Sequence, residues 1–384
     1  MLSKYFLLCC FLPAFTYGQK QYSDSGYLVY LLGSDTTMAG TYSLKGNDFD
    51  IRVVARPNVS ITRLNGSLNS KGELQSADGY VYKPGEENKP LVRFKLYVRN
   101  DSTFIEQKRG ENVTTQRFAG LGMTANGVGV AFRYFLPFWP RYAAKKTGDS
   151  IVSGHLTLGT NKKLTITTIA PGKLYAGSTV MGMVTLHLNK NGKLDFIDGI
   201  GSSWNVTGKV SRTGEDIDLV AERYAAEEKS GAGLRTINPP DSVSANIDNH
   251  MIKIYYSRPE ARGRTIFGGV VPYDRFWRTG ANAATKIVID KPLYFGGKEL
   301  PAGSYSIFTM PGKESWIIMF NSKSNTWGTE YEPAFDVLRV QMMAERSSAF
   351  TEKMMIEILP HPGGGEINVL WENTRAWVPF RTEK

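Results

Sequence analysis

Short apolar runs separated by turn dipeptides recur from residue 27 to the C-terminus, and helical periodicity is almost absent. In Phe49–Ala55 the apolar Phe49, Ile51 and Val53 alternate with Asp50 and Arg52. That two-residue period is the mark of a strand with one buried face. Lys45-Gly46-Asn47 joins it to the apolar stretch before it, and Asn65-Gly66, Lys71-Gly72, Asn126-Gly127 and Asn191-Gly192 repeat the signal. Asn and Gly accept the positive φ that tight hairpin turns demand. The pattern predicts an all-β chain, in which residues 19–222 form one antiparallel meander, strongly curved or partly closed into a barrel.

One segment interrupts the meander. Phe132–Tyr142, FRYFLPFWPRY, is aromatic but carries Pro137 and Pro140, which exclude it from a central strand and from a helix interior. Phe132, Phe135, Phe138 and Trp139 are therefore candidates for an apolar lid over a cavity, or else a plug for the open end of the sheet. Ala221–Gly233 is rich in Ala and Glu and then in Gly, and Pro239-Pro240 follows. A short helix and a linker over residues 223–240 are expected there. Beyond it, strands are expected at Ile252–Tyr256, Lys286–Asp290, Ser304–Met310, Trp316–Phe320, Leu338–Glu345, Met354–Leu359 and Ile367–Trp371. Seven strands with regular turns point to a β-sandwich over residues 241–384.

The N-terminus changes the expected location. Lys4 supplies a positive charge, Tyr5–Phe15 an apolar stretch, and Thr16-Tyr17-Gly18 small residues for cleavage before Gln19. This is the form of a signal peptide, and it implies a periplasmic, outer-surface or secreted protein. No apolar run reaches the roughly 18 residues of a spanning helix, so no transmembrane segment is expected in the mature chain. Cys9 and Cys10 are the only cysteines and both lie in the signal. Neither disulfides nor thiolate chemistry are then expected. The net charge of +10 is uneven: residues 236–384 hold 17 basic and 16 acidic side chains, so the excess lies before them. It suits a polyanionic glycan or an anionic membrane surface, or is simply a solvated surface. The basic residues are scattered rather than clustered, so no nucleic-acid partner is expected.

No catalytic motif is present: neither a G-x-S-x-G elbow, an H-E-x-x-H helix nor a phosphate-binding loop occurs. No cofactor is expected. His155 and His187 fall on expected strands, but isolated strand histidines are more often structural, and no metal site is expected. The densest chemistry is Ile254–Thr285, which combines Arg258, Arg262, Arg264 and Arg278 with Phe267, Tyr273, Trp277 and several glycines. Arginine forks suit carboxylate, phosphate or sulfate, and tryptophan and tyrosine stack on sugars and apolar groups alike. Arg258, Arg264, Tyr273, Trp277, Arg278 and Asn282 are the candidate binding residues. The alternative is a long loop folded over one end of the sandwich, its arginines paired with Glu260, Asp274, Glu330 or Asp336.

The motifs RP-x-x-RGR-x-IFG, VPY-x-x-x-WRTGAN, PAG-x-Y and LRV occur in that order from Arg258 to Val340. Over about residues 236–359 the chain resembles the bacterial domain-of-unknown-function family 2911. The LGSDTT segment, Leu32–Thr37, resembles sequences found ahead of that family. The resemblance implies an exported or envelope-associated protein and carries no catalytic residue across. Two functions are open: a non-catalytic module binding a small molecule, glycan or lipid, or a hydrolase in which the arginines orient an anionic substrate and Asp274 or Glu260 serves as acid or base. Oligomeric state is not legible.

Overall fold

The computed structural model describes residues 23–69, 74–100, 102–119, 152–157, 161–178, 182–202, 204–234 and 236–384. The expected export signal and the lid candidates Phe132, Phe135, Phe138 and Trp139 lie outside the described residues. The chain forms two antiparallel sheets, as the alternation predicts.

The first sheet contains β1 (Ser23–Leu32), β2 (Asp35–Lys45), β3 (Asp48–Ala55), β4 (Ser60–Leu68), β5 (Leu74–Tyr82), β6 (Val92–Arg99), β7 (Ser102–Arg109) and β8 (Asn112–Ala119). It continues with β9 (Val152–Thr157), β10 (Asn161–Ala170), β11 (Lys173–Ser178), β12 (Gly182–Leu188), β13 (Leu194–Asp198) and β14 (Thr207–Ser211). The spatial order is β8-β7-β6-β5-β4-β3-β2-β1-β14-β13-β12-β11-β10-β9. It is a meander whose first and last strands pair, Tyr27 opposite Ser211 through Leu31 opposite Thr207, with β8 and β9 at its two ends among the described residues. Curvature brings the apolar faces of the two halves together. Tyr30, Tyr42, Leu44, Phe49 and Ile51 share one buried cluster with Leu174, Leu186, Leu194 and Ile197.

One helix, α1 (Ile217–Lys229), covers the opposite face. Asp216 caps it by accepting from the Asp218 and Leu219 amides at 2.8 and 3.3 Å. Ile217, Val220, Ala221 and Tyr224 recur at helical spacing and bury against Ala39, Val54, Ile61 and Tyr82. Arg52 ties helix to sheet, donating to Tyr82 Oη at 2.9 Å and pairing with Asp218.

The second sheet contains β15 (Pro240–Ile247), β16 (His250–Ser257), β17 (Thr285–Ile289), β18 (Leu293–Phe295), β19 (Lys298–Leu300), β20 (Gly303–Pro311), β21 (Ser315–Asn321), β22 (Asp336–His361) and β23 (Gly364–Arg381). Its order is β15-β16-β17-β20-β21-β22-β23-β18-β19. The stretches expected as separate strands at 338–345 and 354–359 are one strand of 26 residues. Its register with β23 slips between Arg346 and Met355, opposite Glu372 with φ +56°. These irregularities fold the hairpin back on itself. Arg375 reaches Glu366 at 2.7 Å within the same strand, where nine extended residues would span roughly 30 Å. Met354, Ile356, Val369 and Trp371 of the folded-back part thus share a core with Ile252, Ile287, Ile307 and Phe320. That closes the sandwich.

Candidate functional site in the arginine-rich segment

The segment between β16 and β17 lies over one end of the sandwich. Its aromatics anchor it. Phe267 and Trp277 are buried among Trp316 and Trp371, with ring centroids 4.8–6.2 Å apart. Trp277 donates Nε1–H to the Gly280 carbonyl at 3.0 Å. Its backbone exchanges hydrogen bonds with Thr309 at 2.7 and 2.8 Å. Trp277 therefore serves the fold, a buried ring with its polar edge satisfied, and Tyr273 packs partly into the same core.

Two of the candidate arginines are consumed by the protein. Arg258 pairs with Asp241 at 2.9 Å and donates Nε–H to the Met354 carbonyl at 2.9 Å. Arg264 has no carboxylate within ion-pair distance among the described residues. Its three nitrogens donate to the carbonyls of Ala261 (3.0 Å), Glu260 (2.7 Å) and Asn205 (3.2 Å). Burial, with the neighbouring Arg262 charge adding to it, pulls the Arg264 guanidinium down to about 10.

Arg262 and Arg264 make the joint between the domains. Arg262 is buried, pairs with Asp35 of the first domain, and sits 3.0 Å from Glu260. Glu260, 3% exposed, is also held by Lys353 at 3.2 Å. Gly33, with φ +64°, passes so close that a Cβ there would overlap the Arg262 carbonyl oxygen. The LGSDTT segment is thus the part of the first domain that meets the RGR motif of the second. Asp35 and Asn205 are partners that spacing could not reveal. The only sequence signal was the co-occurrence of the two motifs.

Arg278 is different. Its Nη1 donates to the Asn282 carbonyl at 2.9 Å. Nε and Nη2 have no acceptor among the described residues, and neither is among the fully enclosed unsatisfied atoms. No carboxylate lies within ion-pair distance among the described residues, and burial alone draws the guanidinium down to about 10. Gly328 lies across its stem. A Cβ there would overlap Arg278 Cδ, and the Gly328 amide donates to the Asn282 carbonyl at 3.2 Å. Asn282 adopts φ +60°, with Nδ2 within 3.5 Å of the Asn238 carbonyl and Ser257 Oγ. Trp327, next to Gly328 and bridged to Ala283, is exposed. Phe276, which the sequence did not single out, shares the Arg278 side of the chain, because Trp277 between them points into the core.

Of the carboxylates expected to answer the arginines, only Glu260 does so within the segment. Asp336 pairs with Arg339 at 2.7 Å, and Asp274 is exposed with no ion pair among the described residues. His155 lies on β9 and His187 on β12, with β10 and β11 between them.

Fold and segment together define an all-β protein of two antiparallel sheets, in which the loop between β16 and β17 reaches residues of the first sheet and its connections through Arg262 and Arg264. Residues 238–380 match the family described as "Protein of unknown function (DUF2911)", which extends the resemblance to the end of the sandwich. No curated protein matches the chain. Among solved structures, that of DNA polymerase III subunit beta from Borrelia burgdorferi in complex with a natural product aligns over 92% of this chain and 90% of that chain, at 9% identity and a TM-score of 0.10. A score that low carries no argument about this protein. No described helix is long and apolar enough to cross a membrane.

Proposed function

We propose that the protein is exported and works as a non-catalytic ligand-binding module, with Arg278 receiving an anionic group of the ligand. The supporting observation is the state of that one side chain. A guanidinium carries five N–H donors, and Arg278 commits one nitrogen to a carbonyl while burial strips much of its hydration. A charge so desolvated is costly until an anion meets it, and a carboxylate or phosphate returns charge-assisted hydrogen bonds. The positive, apolar and small-residue succession at Lys4–Gly18 supports export.

The hydrolase alternative gains nothing from the geometry. It requires a solvent-facing carboxylate within reach of the arginines, and Glu260 is buried between Arg262 and Lys353. Asp274 is exposed and makes no ion pair with any of the four among the described residues.

The test is thermal shift of the mature chain with acetate, phosphate, sulfate and a panel of acidic and neutral glycans and lipids. An anionic compound is expected to raise the midpoint of the wild type and leave Arg278→Gln unmoved. A wild type that responds to no member of the panel overturns the proposal.

A further inference from the structure

The ligand group that fits Arg278 can be narrowed, on the reading above, by what stands beside it. Trp277 is extended and bridges to Thr309, so Phe276 and Arg278 emerge on the same side of the chain. Residues two apart on an extended backbone are separated by about 6.6 Å, close to the width of one pyranose ring with its exocyclic carbon. Phe276 is 44% exposed. It is held in place rather than loose: its ring lies 5.1 Å from that of Tyr331 and 6.5 Å from the buried Phe308. Tyr331 is itself fixed by Asp336 and Arg339. Loop 326–331 therefore crosses the stem of Arg278 at Gly328 and ends against Phe276 at Tyr331. Beside Arg278 the exposed Asn282 turns its Nδ2 to Asn238 and Ser257 and leaves its Oδ1 as an acceptor.

We infer that this surface binds an acidic sugar, with the pyranose ring lying on Phe276 and its carboxylate on the free Nε and Nη2 of Arg278. Three features favour this over a simple anion or an apolar acid. A compact anion would use Arg278 and leave Phe276 without a role. An apolar acid needs an enclosed pocket to bury its body, whereas Phe276 and Asn282 stand open on the surface. A sugar presents an apolar face to the ring and hydroxyls to water and Asn282, so it tolerates that openness. A single such contact is weak, and an open surface admits a chain of repeating units, where effective concentration multiplies weak contacts. An acidic polysaccharide is therefore the better ligand than its monomer.

The experiment is titration of the mature chain, in buffered 0.15 M salt, with oligogalacturonate, its methyl ester, acetate, phosphate and benzoate. The proteins are wild type, Arg278→Lys, Phe276→Ser and, as a control for non-specific attraction by the basic first domain, Arg109→Gln. Arg278→Lys keeps the charge and loses the fork, so it is measurable even if a neutral substitution perturbs the fold. Oligogalacturonate is expected to bind and its methyl ester not. Arg278→Lys and Phe276→Ser should each weaken binding about tenfold or more, with Arg109→Gln unchanged. Acetate or phosphate binding as well as oligogalacturonate, with Phe276→Ser silent, would overturn the sugar while leaving the anion site standing. Benzoate binding in place of oligogalacturonate would do the same. Binding of none of these, or binding indifferent to Arg278→Lys, would overturn both readings.

Discussion

Replacing Arg262 by alanine removes the charge at the centre of the domain joint. Its guanidinium is buried and pairs with Asp35 and Glu260, while Glu260 keeps Lys353 and Asp35 keeps partial access to water. Breaking a buried pair from one side costs about 3–5 kcal/mol, because the remaining charge is stranded. Lys353 and solvent at Asp35 relieve part of that here, so about 3 kcal/mol is expected. For a domain of 150–250 residues each kcal/mol moves the midpoint by about 2–4 °C, which gives a fall of roughly 6–12 °C. The assay is differential scanning calorimetry of the protein and of Arg262→Ala. Because the lost contacts bridge two separate cores, the variant should also resolve into two transitions where the wild type shows one or two closely coupled ones. Asp35→Asn, which keeps the shape and loses the charge, should reproduce the uncoupling with a smaller fall. A midpoint within 2 °C of wild type and an unchanged transition shape would refute the assignment of the RGR motif to the joint.

Four further outcomes follow from the same contacts. Arg278→Gln should move the midpoint by less than about 1–2 kcal/mol equivalent, because no carboxylate is stranded by its loss; a fall as large as that of Arg262→Ala would make Arg278 scaffold. Gly33→Ala should destabilise by more than about 1 kcal/mol, since it forces a side chain into positive φ and against the Arg262 carbonyl; denaturant titration reads it. Trp277→Ala should cost about 3–5 kcal/mol by emptying the space among Phe267, Trp316 and Trp371, and a near-neutral result would mean the ring is not core. Burial raises the Glu366 carboxyl, but Asn368, His361 and Arg375 outweigh it and hold the group below the usual carboxylate range. Its contribution to stability is therefore complete above the unfolded value of about 4.3 and is lost as pH falls through the folded one. Glu366→Gln should flatten the wild-type loss of midpoint in that acid window, and an identical pH profile would contradict it.

Much of this molecule is set by local sequence. Phe49, Ile51 and Val53 alternate with charges, and the strand they predict is β3 with those side chains inside. A period of two leaves a single choice of face once one face is apolar. A short helix was expected in the Ala- and Glu-rich stretch from Ala221, and α1 begins four residues earlier, at Ile217, because Asp216 caps it there. The motifs running from Arg258 to Val340 were enough to identify the family segment later matched over residues 238–380. What local pattern could not reach was the fate of each polar group. The fates of the arginine-loop residues separated only in three dimensions. Trp277 turned inward because a large ring gains most by burial, and Arg258 found Asp241 across the sheet. Arg264 was satisfied by carbonyls, one of them from the other domain. Arg278 was left with donors to spare because Gly328, fifty residues on, covers its stem without supplying an acceptor. Strand β15 was missed because Val243, Ala245 and Ile247 are a thin apolar stripe beside Pro239-Pro240, and pairing with β16 supplies what propensity lacks. The fold-back of β22 and β23 was invisible for a related reason. A bulged strand and two separate strands have the same hydrophobic pattern, and only packing against the rest of the core decides between them.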